Sequence, residues 1–427
     1  MSINYLKHIK GVTVILILMA FTACKTTRTT TTKTELIVPE YTFQDDVSYL
    51  ADDKLEGRAT GTAGEKAAAA YIADRFKFIG LKPRGTDGYF QEFTFRPKRD
   101  PHSAVNYTNE KSDSTITGTN VVGYINNKAP TTVIIGAHYD HLGYGGEGSG
   151  SLYRGTEKQI HNGADDNASG VAMMLNLAQR LKNADTNNNY LFLSFSGEEI
   201  GLLGSNYFAK HSTVALDSVN YMINMDMVGR LKADSTLAVY GVGTSPVFKK
   251  VLEDQNKEFK LIEKESGVGP SDHTSFYLVD LPVLHFFTGQ HEDYHRPSDD
   301  WDKINYAGMQ EVSNYIFDVI TDLNDDGKLA FTRTKNESDE TPRFKVTLGV
   351  VPDYLFDGKG MRIDGVSEDK PAQKAGLQKG DVVIQLGDIP VTDMMSYMKA
   401  LSKFEKGNTT TVKVDRNGEI VESEVTF

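Results

Sequence analysis

Apolar residues recur at helical spacing from Glu65 to Ile79, and Gly80 follows as a residue suited to ending a helix. Thr131–Gly136 is a short, nearly unbroken apolar run that predicts a strand, and Ser169–Leu181 predicts a helix. The alternation continues with a strand over Tyr190–Phe195, a helix over Ile200–Lys210, and strands over Tyr221–Met225, Leu237–Tyr240 and Pro282–Phe287. A helix over Tyr306–Leu323 closes the series. Strands that are apolar throughout are covered on both faces. With helices between them, they predict an α/β fold whose mostly parallel central sheet is flanked by helices. Asn324–Gly327 and the polar stretch Thr332–Pro342 break the pattern and predict a linker over 326–342. The acidic start of that stretch lacks the later oxygen ligands of a calcium loop. Beyond it, strand signals at Thr410–Val414 and Glu419–Val425 predict a small second β/α unit over 343–427.

The other end of the chain reads differently. Lys7 and Lys10 precede an apolar run of 13 residues from Gly11 to Ala23, and Cys24, the only cysteine, comes next. A basic start, a short apolar run and small residues before the cut predict a signal peptide over 1–23. The run is too short for a bilayer, which takes roughly 20 residues. The residues before Cys24 resemble a bacterial lipobox, although Phe21 stands where Leu is usual. Lipid on Cys24 would anchor the chain firmly, since each buried CH₂ contributes roughly 0.8 kcal/mol. The expected location is then the periplasmic face of the outer membrane or the cell surface, Lys25 lacking the Asp associated with inner-membrane retention. Threonine-rich residues 24–40 read as a polar tether, and the first globular part spans 41–325. The 427 residues suit two or three domains, and 46 basic against 58 acidic side chains give a net charge of −12. That balance argues against nucleic acid or an anionic membrane surface as a main partner, and leaves lipid as the route to the membrane.

The candidate chemistry gathers where the predicted strands end. Phe195-Ser196-Gly197-Glu198-Glu199 closes one strand with two adjacent carboxylates, which repel unless cations sit beside them. His138-Tyr139-Asp140-His141 follows another strand, and Gly163-Ala164-Asp165-Asp166-Asn167-Ala168-Ser169-Gly170 opens a helix. Asn224-Met225-Asp226 and Tyr294-His295 complete the set. Parallel α/β sheets bind ligands beyond the carboxyl ends of their strands, so five segments bring His, Asp, Glu, Asp and His to one rim. Mixed nitrogen and oxygen donors suit zinc, with manganese or cobalt also fitting a carboxylate-rich set.

These strings resemble the co-catalytic dizinc aminopeptidases, secreted bacterial enzymes related to glutamate carboxypeptidase II and glutaminyl cyclase. Leu55-Glu56-Gly57-Arg58 with Gly61 and Gly64 is similar to that family's N-terminal segment, and the resemblance covers about Phe43 to Leu323. Phe95–Asn120 is too short for a protease-associated insert. The resemblance implies two Zn²⁺ per chain, with His138 and Asp226 on one, Glu199 and His295 on the other, and Asp166 bridging. It implies that Asp140 orients His138 without binding metal. Glu198 would be the general base that activates a bridging metal-bound water, and Tyr294 a donor to the oxyanion. The implied function is release of N-terminal residues from peptides. The alternatives within the fold are a glutaminyl cyclase, a carboxypeptidase, or a silent peptide-binding protein. Every ligand position is filled, which speaks against the first and last.

Other side chains carry plainer expectations. Asp165 reads as a helix-start or turn residue, and His141 and His161 as neighbours of the ligands or pocket wall. His285 reads as a core histidine, Trp301 as packing, and His291, Glu292 and Asp293 as a solvated loop. Ser271–Phe276 resembles the family's pocket loop or else caps a helix. From Phe344, Pro371-Ala372-Gln373-Lys374-Ala375-Gly376-Leu377 and Gly380-Asp381 resemble a PDZ domain of the bacterial protease type. Such a domain would accept a peptide or protein C-terminus by strand addition, although Thr347-Leu348-Gly349-Val350 departs from the usual Gly-Leu-Gly-Phe loop.

Overall fold

The computed structural model describes residues 41–97, 106–146, 148–184, 186–334, 345–353, 356, 358–367 and 369–427. The expected signal peptide, Cys24 and the tether lie outside the described residues, as does the linker from 335 to 342. No helix among the described residues is long and apolar enough to cross a membrane.

A ten-stranded sheet organises the larger unit. Its strands are β1 (Lys82–Pro83), β2 (Phe90–Arg96), β3 (Asn106–Tyr107), β4 (Ile116–Ile125) and β5 (Thr131–His138). They continue with β6 (Asn188–Phe195), β7 (Val219–Met225), β8 (Thr236–Tyr240), β9 (Lys260–Lys264) and β10 (Val283–Phe287). The order is β3-β2-β4-β6-β5-β7-β10-β8-β9, with β1 beside β4. The middle of the sheet, β6-β5-β7-β10, is parallel, as is the β8–β9 pair. Antiparallel neighbours, β4 on one side and β8 on the other, flank that middle.

Every residue of β5, β6, β7 and β10 is buried, which is why they read as apolar runs. Successive side chains enter different cores, because strand side chains alternate between faces. Val133, Ile135, Tyr190 and Phe192 pack with α1 (Phe43–Leu50), α2 (Ala63–Ile79), α3 (Gly170–Lys182), α5 (Phe248–Gln255) and α7 (Tyr306–Asp322). Ile134, Leu191, Leu193 and Phe195 pack on the other face with α4 (Leu203–Lys210) and α6 (His273–Tyr277). Burying one such Leu or Phe contributes roughly 1.5–3 kcal/mol. Helix ends follow local chemistry. Thr42 and Asp45 form a capping box on α1, and α2 ends at Gly80 in the left-handed region (φ 87°). α4 starts at Leu203, later than the pattern predicts, because the Gly201 and Leu202 amides turn back to the Glu198 carbonyl and leave Ile200 exposed. β2 and β9 escape the sequence pattern because both carry exposed polar residues at the sheet's flanks.

Of the expected linker, residues 326–334 are described, and they lie on the larger unit. Leu329 is buried, the Thr332 amide donates to the Thr244 carbonyl (2.8 Å), and Phe331 packs on Tyr277. The smaller unit contains β11 (Val350–Pro352), β12 (Met361–Val366), α8 (Pro371–Lys374), β13 (Val382–Leu386), β14 (Ile389–Pro390), α9 (Met394–Leu401), β15 (Thr409–Arg416) and β16 (Glu419–Thr426). Its sheet order is β11-β12-β13-β15-β16, and Leu348, Ile363, Leu377, Val383, Leu401 and Val412 belong to its own core.

Candidate metal centre

Parallel neighbours end on the same side, so the middle strands deliver their following residues to one rim. His138 is the last residue of β5. After β6 the chain turns at Gly197 (φ 74°) into Glu198 and Glu199, and Asp226 directly follows β7. Asp166 sits in the 164–169 turn before α3, and His295 in the loop beyond β10. Met227 and His295 both hold left-handed φ values, 53° and 55°, a local cost of order 1–3 kcal/mol each that the surrounding packing must offset.

The five side chains converge on the two oxygens of Asp166. His138 Nε2 lies 3.3 Å from Asp166 Oδ1 and 3.4 Å from Asp226 Oδ1. His295 Nε2 lies 3.2 Å from Asp166 Oδ2 and 3.3 Å from Glu199 Oε2. His138, Asp166 and Asp226 form one group whose donor atoms lie within 4.8 Å of one another, and His141, Asp166 and Glu199 form a second. His138 Nε2 is buried and makes no hydrogen bond although two carboxylates lie within 3.4 Å, an arrangement that a shared cation would satisfy. Such a mixed nitrogen and oxygen donor set suits a divalent cation such as zinc.

The electrostatics point the same way. Burial opposes a charge on His138, but Asp226, Glu198, Asp140 and Asp166 outweigh it and hold its pKa well above the ordinary imidazole value. His295 likewise overcomes burial through Glu199 and Asp166 and rises to about 11. The carboxylates thus draw positive charge to their centre, a demand that bound cations would meet in place of protons. The adjacent glutamates separate. Burial and Asp166 push Glu199 up, yet His295 and His141 bring it down to about 2. Burial holds Glu198 well above the usual carboxylate range, with Glu199 and Asp226 adding to the shift and His138 opposing it.

A surrounding layer fixes the donors. Asp140 accepts from the Glu198 amide (3.1 Å) and the Thr60 hydroxyl (3.0 Å), and its Oδ1 lies 3.7 Å from His138 Nδ1. His141 Nδ1 is 2.7 Å from Glu199 Oε1, and His295 Nδ1 is 3.1 Å from the Gly150 carbonyl. Asp299 accepts from the Asp165 and Asp166 amides (3.0–3.1 Å), cradling the turn that presents Asp166. Asp165, expected to cap the helix or form the turn, is instead buried with its carboxylate on distant partners, accepting from the Gly229 amide (2.6 Å) and lying 3.1 Å from His291. Tyr294 stacks on His295 with ring centroids 3.8 Å apart.

A cavity of about 110 Å³ opens beside Glu198 and Asp166, walled by Met227, Tyr240, Pro270, His285 and Phe287. His285 therefore belongs to the cavity wall rather than to the core alone. It stacks on His273 with centroids 4.5 Å apart, and burial pushes its pKa down to about 4. In the Ser271–Phe276 segment, His273–Tyr277 is a short helix without a side-chain cap, and Ser271 accepts from Asn224 Nδ2 (2.8 Å). His161 is buried, 2.7 Å from the Ser151 hydroxyl. The loop before His295 corrects another expectation, being largely buried. His291 lies 3.1 Å from Asp165, and Asp293 binds Lys303 (2.7 Å) and Arg230 (3.3 Å). Only Glu292 is exposed, 3.5 Å from Lys379 of the smaller unit. Trp301, expected in packing, is 39% exposed. The groups that sequence reasoning passed over are the half-buried Thr60 and the buried Glu65 and Asp299, together with any role for Arg58. The partners that matter at the site lie far along the chain, Asp140 for Thr60, Ser196 for Glu65 and the Asp165 and Asp166 amides for Asp299, so no spacing rule could reveal them.

Residues 120–320 match the Peptidase family M28 model, and residues 330–427 match the PDZ domain model. The chain is 32% identical to the alkaline phosphatase isozyme conversion protein of Escherichia coli (strain K12) over 200 residues, 47% of this chain and 54% of that protein. It is 27% identical to aminopeptidase YwaD of Bacillus subtilis (strain 168) over 214 residues, 47% of this chain and 43% of that one. The chain thus spans about half the length of the curated relatives it matches. A Zn-dependent exopeptidase from Parabacteroides distasonis ATCC 8503 shares the fold, with a TM-score of 0.53 and 19% identity over 66% of this chain and 99% of that one. With the ligand-rich rim already in place on the parallel sheet, these matches assign the chain a peptidase family M28 domain followed by a C-terminal PDZ domain.

Proposed function

We propose that this protein is a metal-dependent aminopeptidase that releases single residues from the N-termini of peptides. The observation that carries the reading is that Asp166 lies within 3.3 Å of both His138 and His295, which in turn lie 3.4 Å from Asp226 and 3.3 Å from Glu199, with Glu198 lining the adjoining cavity. His138 and Asp226 would hold one cation, Glu199 and His295 the other, and Asp166 both. Zinc suits the donors, with manganese or cobalt fitting the same set. When bound, such cations make water acidic enough to serve as a nucleophile near neutral pH and polarise the scissile carbonyl.

The chain's own residues do the rest. Glu198 takes the proton from water and returns it to the leaving amine, a role suited to a carboxylate whose pKa is raised by burial. Asp140, held by Thr60 and the Glu198 amide, keeps His138 oriented. Tyr294 donates a hydrogen bond where negative charge develops. The cavity beyond Glu198 receives the side chain of the residue to be released. The PDZ domain offers β11, the end strand of its sheet order, for pairing with a peptide or protein C-terminus. Export and lipid anchoring at Cys24, on the periplasmic face of the outer membrane or at the cell surface, rest on the sequence of residues 1–24.

The test combines metal analysis with a peptide panel. Two zinc ions per chain and stepwise loss of N-terminal residues are expected. Products shortened from the C-terminus, cyclised N-terminal glutamine, or fewer than two metals would each overturn the reading.

A further inference from the structure

The segment from Asp53 to Glu65 precedes residues 120–320, which match the peptidase family, yet it reaches the metal centre from beneath. Arg58 is 0% exposed. Its guanidinium donates to four backbone carbonyls: Tyr139 (2.6 Å), Leu50 (2.7 Å), Gly163 (2.8 Å) and Asn162. Tyr139 adjoins His138 at the end of β5, and Gly163 opens the turn that presents Asp166. One planar group therefore ties together the two backbone segments on which both donor groups depend. The main chain joins them as well. The His141 amide donates to the Arg58 carbonyl (3.4 Å), and the Gly143 amide to that of Gly57 (3.1 Å). Gly57 is left-handed (φ 67°), and a Cβ there would meet the His161 carbonyl at 2.5 Å, so only glycine allows this approach. Three residues after Gly57, Thr60 donates to Asp140.

A buried arginine that binds only neutral carbonyls has not been placed there to neutralise an adjacent carboxylate. Burial lowers its pKa to about 10, although Asp166, Asp140, Asp299 and Glu199 partly restore it, so it stays charged at neutral pH. Considered as charge alone, it would repel divalent cations. Its favourable contribution has to be geometric: five donors in a fixed fork, a shape that lysine cannot reproduce.

We propose that Gly57–Thr60 forms a clasp for the metal centre. In it Arg58 is a positioning residue that sets the spacing between His138 and Asp166, and Thr60 is one that fixes Asp140. The proposal rests on the metal-centre reading above and deepens it. The test uses the full chain and zinc ion alone, titrated against a chromophoric chelator, with wild type, Arg58→Lys, Arg58→Met and Thr60→Val compared. Supporting residues of a metal site typically cost 10–100-fold in affinity when changed. Both Arg58 variants are expected to bind at least one zinc that much more weakly, and Thr60→Val to weaken one zinc about tenfold or more. Tighter binding by Arg58→Met with wild-type binding by Arg58→Lys would reduce Arg58 to a charge and overturn the proposal, as would unchanged affinity in both. If the Arg58 variants do not fold, Thr60→Val decides, and wild-type zinc affinity there ends the idea of a clasp. Wild type that binds no zinc would instead refute the metal centre itself.

Discussion

Replacing Glu198 by Gln separates proton transfer from metal binding more cleanly than any other single change. The backbone at 198 is held independently of the side chain, its amide donating to Asp140 and its carbonyl accepting from the Gly201 and Leu202 amides at 2.8 and 2.9 Å. Gln has nearly the same shape, so the loop and the donors around Asp166 should keep their places. The fold carries the Glu198 charge at a cost, because burial, Glu199 and Asp226 all disfavour it. Neutralising the residue should therefore leave thermal stability unchanged or raise it. What is lost is the proton acceptor. General acid–base catalysis is worth roughly 10²–10⁴ in rate, about 3–5 kcal/mol at ~1.36 kcal/mol per tenfold. The assay is steady-state hydrolysis of an N-terminal aminoacyl p-nitroanilide, with metal content by mass spectrometry and a melting curve on the same samples. The expected outcome is two metals per chain, an equal or higher Tm, and kcat lower by at least a hundredfold. A variant within tenfold of wild type, or one that loses metal, would refute the division of labour between Glu198 and Glu199.

Glu199→Gln should behave in the opposite way, dropping the zinc count towards one per chain, because it replaces an anionic metal donor by a weakly binding neutral amide and takes the charge out of the 2.7 Å pairing with His141 Nδ1. Unaltered stoichiometry would argue that Glu199 is no ligand. Asp140→Asn should lower zinc affinity or kcat by roughly 10–100-fold; wild-type values for both would remove Asp140 from the site. In the buried Asp46–Arg75 pair (2.6 and 3.0 Å), which Tyr71 also joins, Asp46→Asn should cost about 3–5 kcal/mol in urea denaturation. Zinc stoichiometry of the folded fraction should not change, and a cost below about 1 kcal/mol would show the pair to be dispensable. Burial, with Asp140 and Asp226 nearby, raises Asp272 to about 7, and burial with Asp165 raises Asp299 to about 6. At these two positions the metal-free fold holds protons that the unfolded chain has released, so their contribution to stability falls as pH rises from about 4 to 7, while His161 and His285, both lowered to about 4 chiefly by burial, contribute in the opposite direction. The urea midpoint of Asp272→Asn should therefore gain on that of wild type as pH rises from about 4 to 7, and a difference that stays constant or shrinks over this range would contradict the sign.

Much of the candidate centre was legible because most of its proposed donors adjoin a local signal. His138 and Asp226 end apolar strands, Asp166 opens a helix, and Glu198-Glu199 breaks a strand with a charge pair that is unfavourable in isolation. Strand ends and helix starts are local properties, and in a parallel sheet they fall on one side by construction. Other features needed the folded chain. His285 lies in an apolar strand, and only the packing of Tyr240, Pro270 and Phe287 around it makes it a cavity wall. His291 and Asp293 look like solvated loop residues until Asp165, Arg230 and Lys303 fold against them.

Arg58 marks the boundary most sharply. By itself the sequence determined the alternation of buried middle strands with helices and the residue types at their ends, because periodicity and turn chemistry act over a few residues. Only the tertiary structure decided that an arginine 81 residues before Tyr139 and 105 before Gly163 would bind both their carbonyls. Which distant backbone groups share one buried guanidinium depends on how layers pack, and no local pattern encodes that.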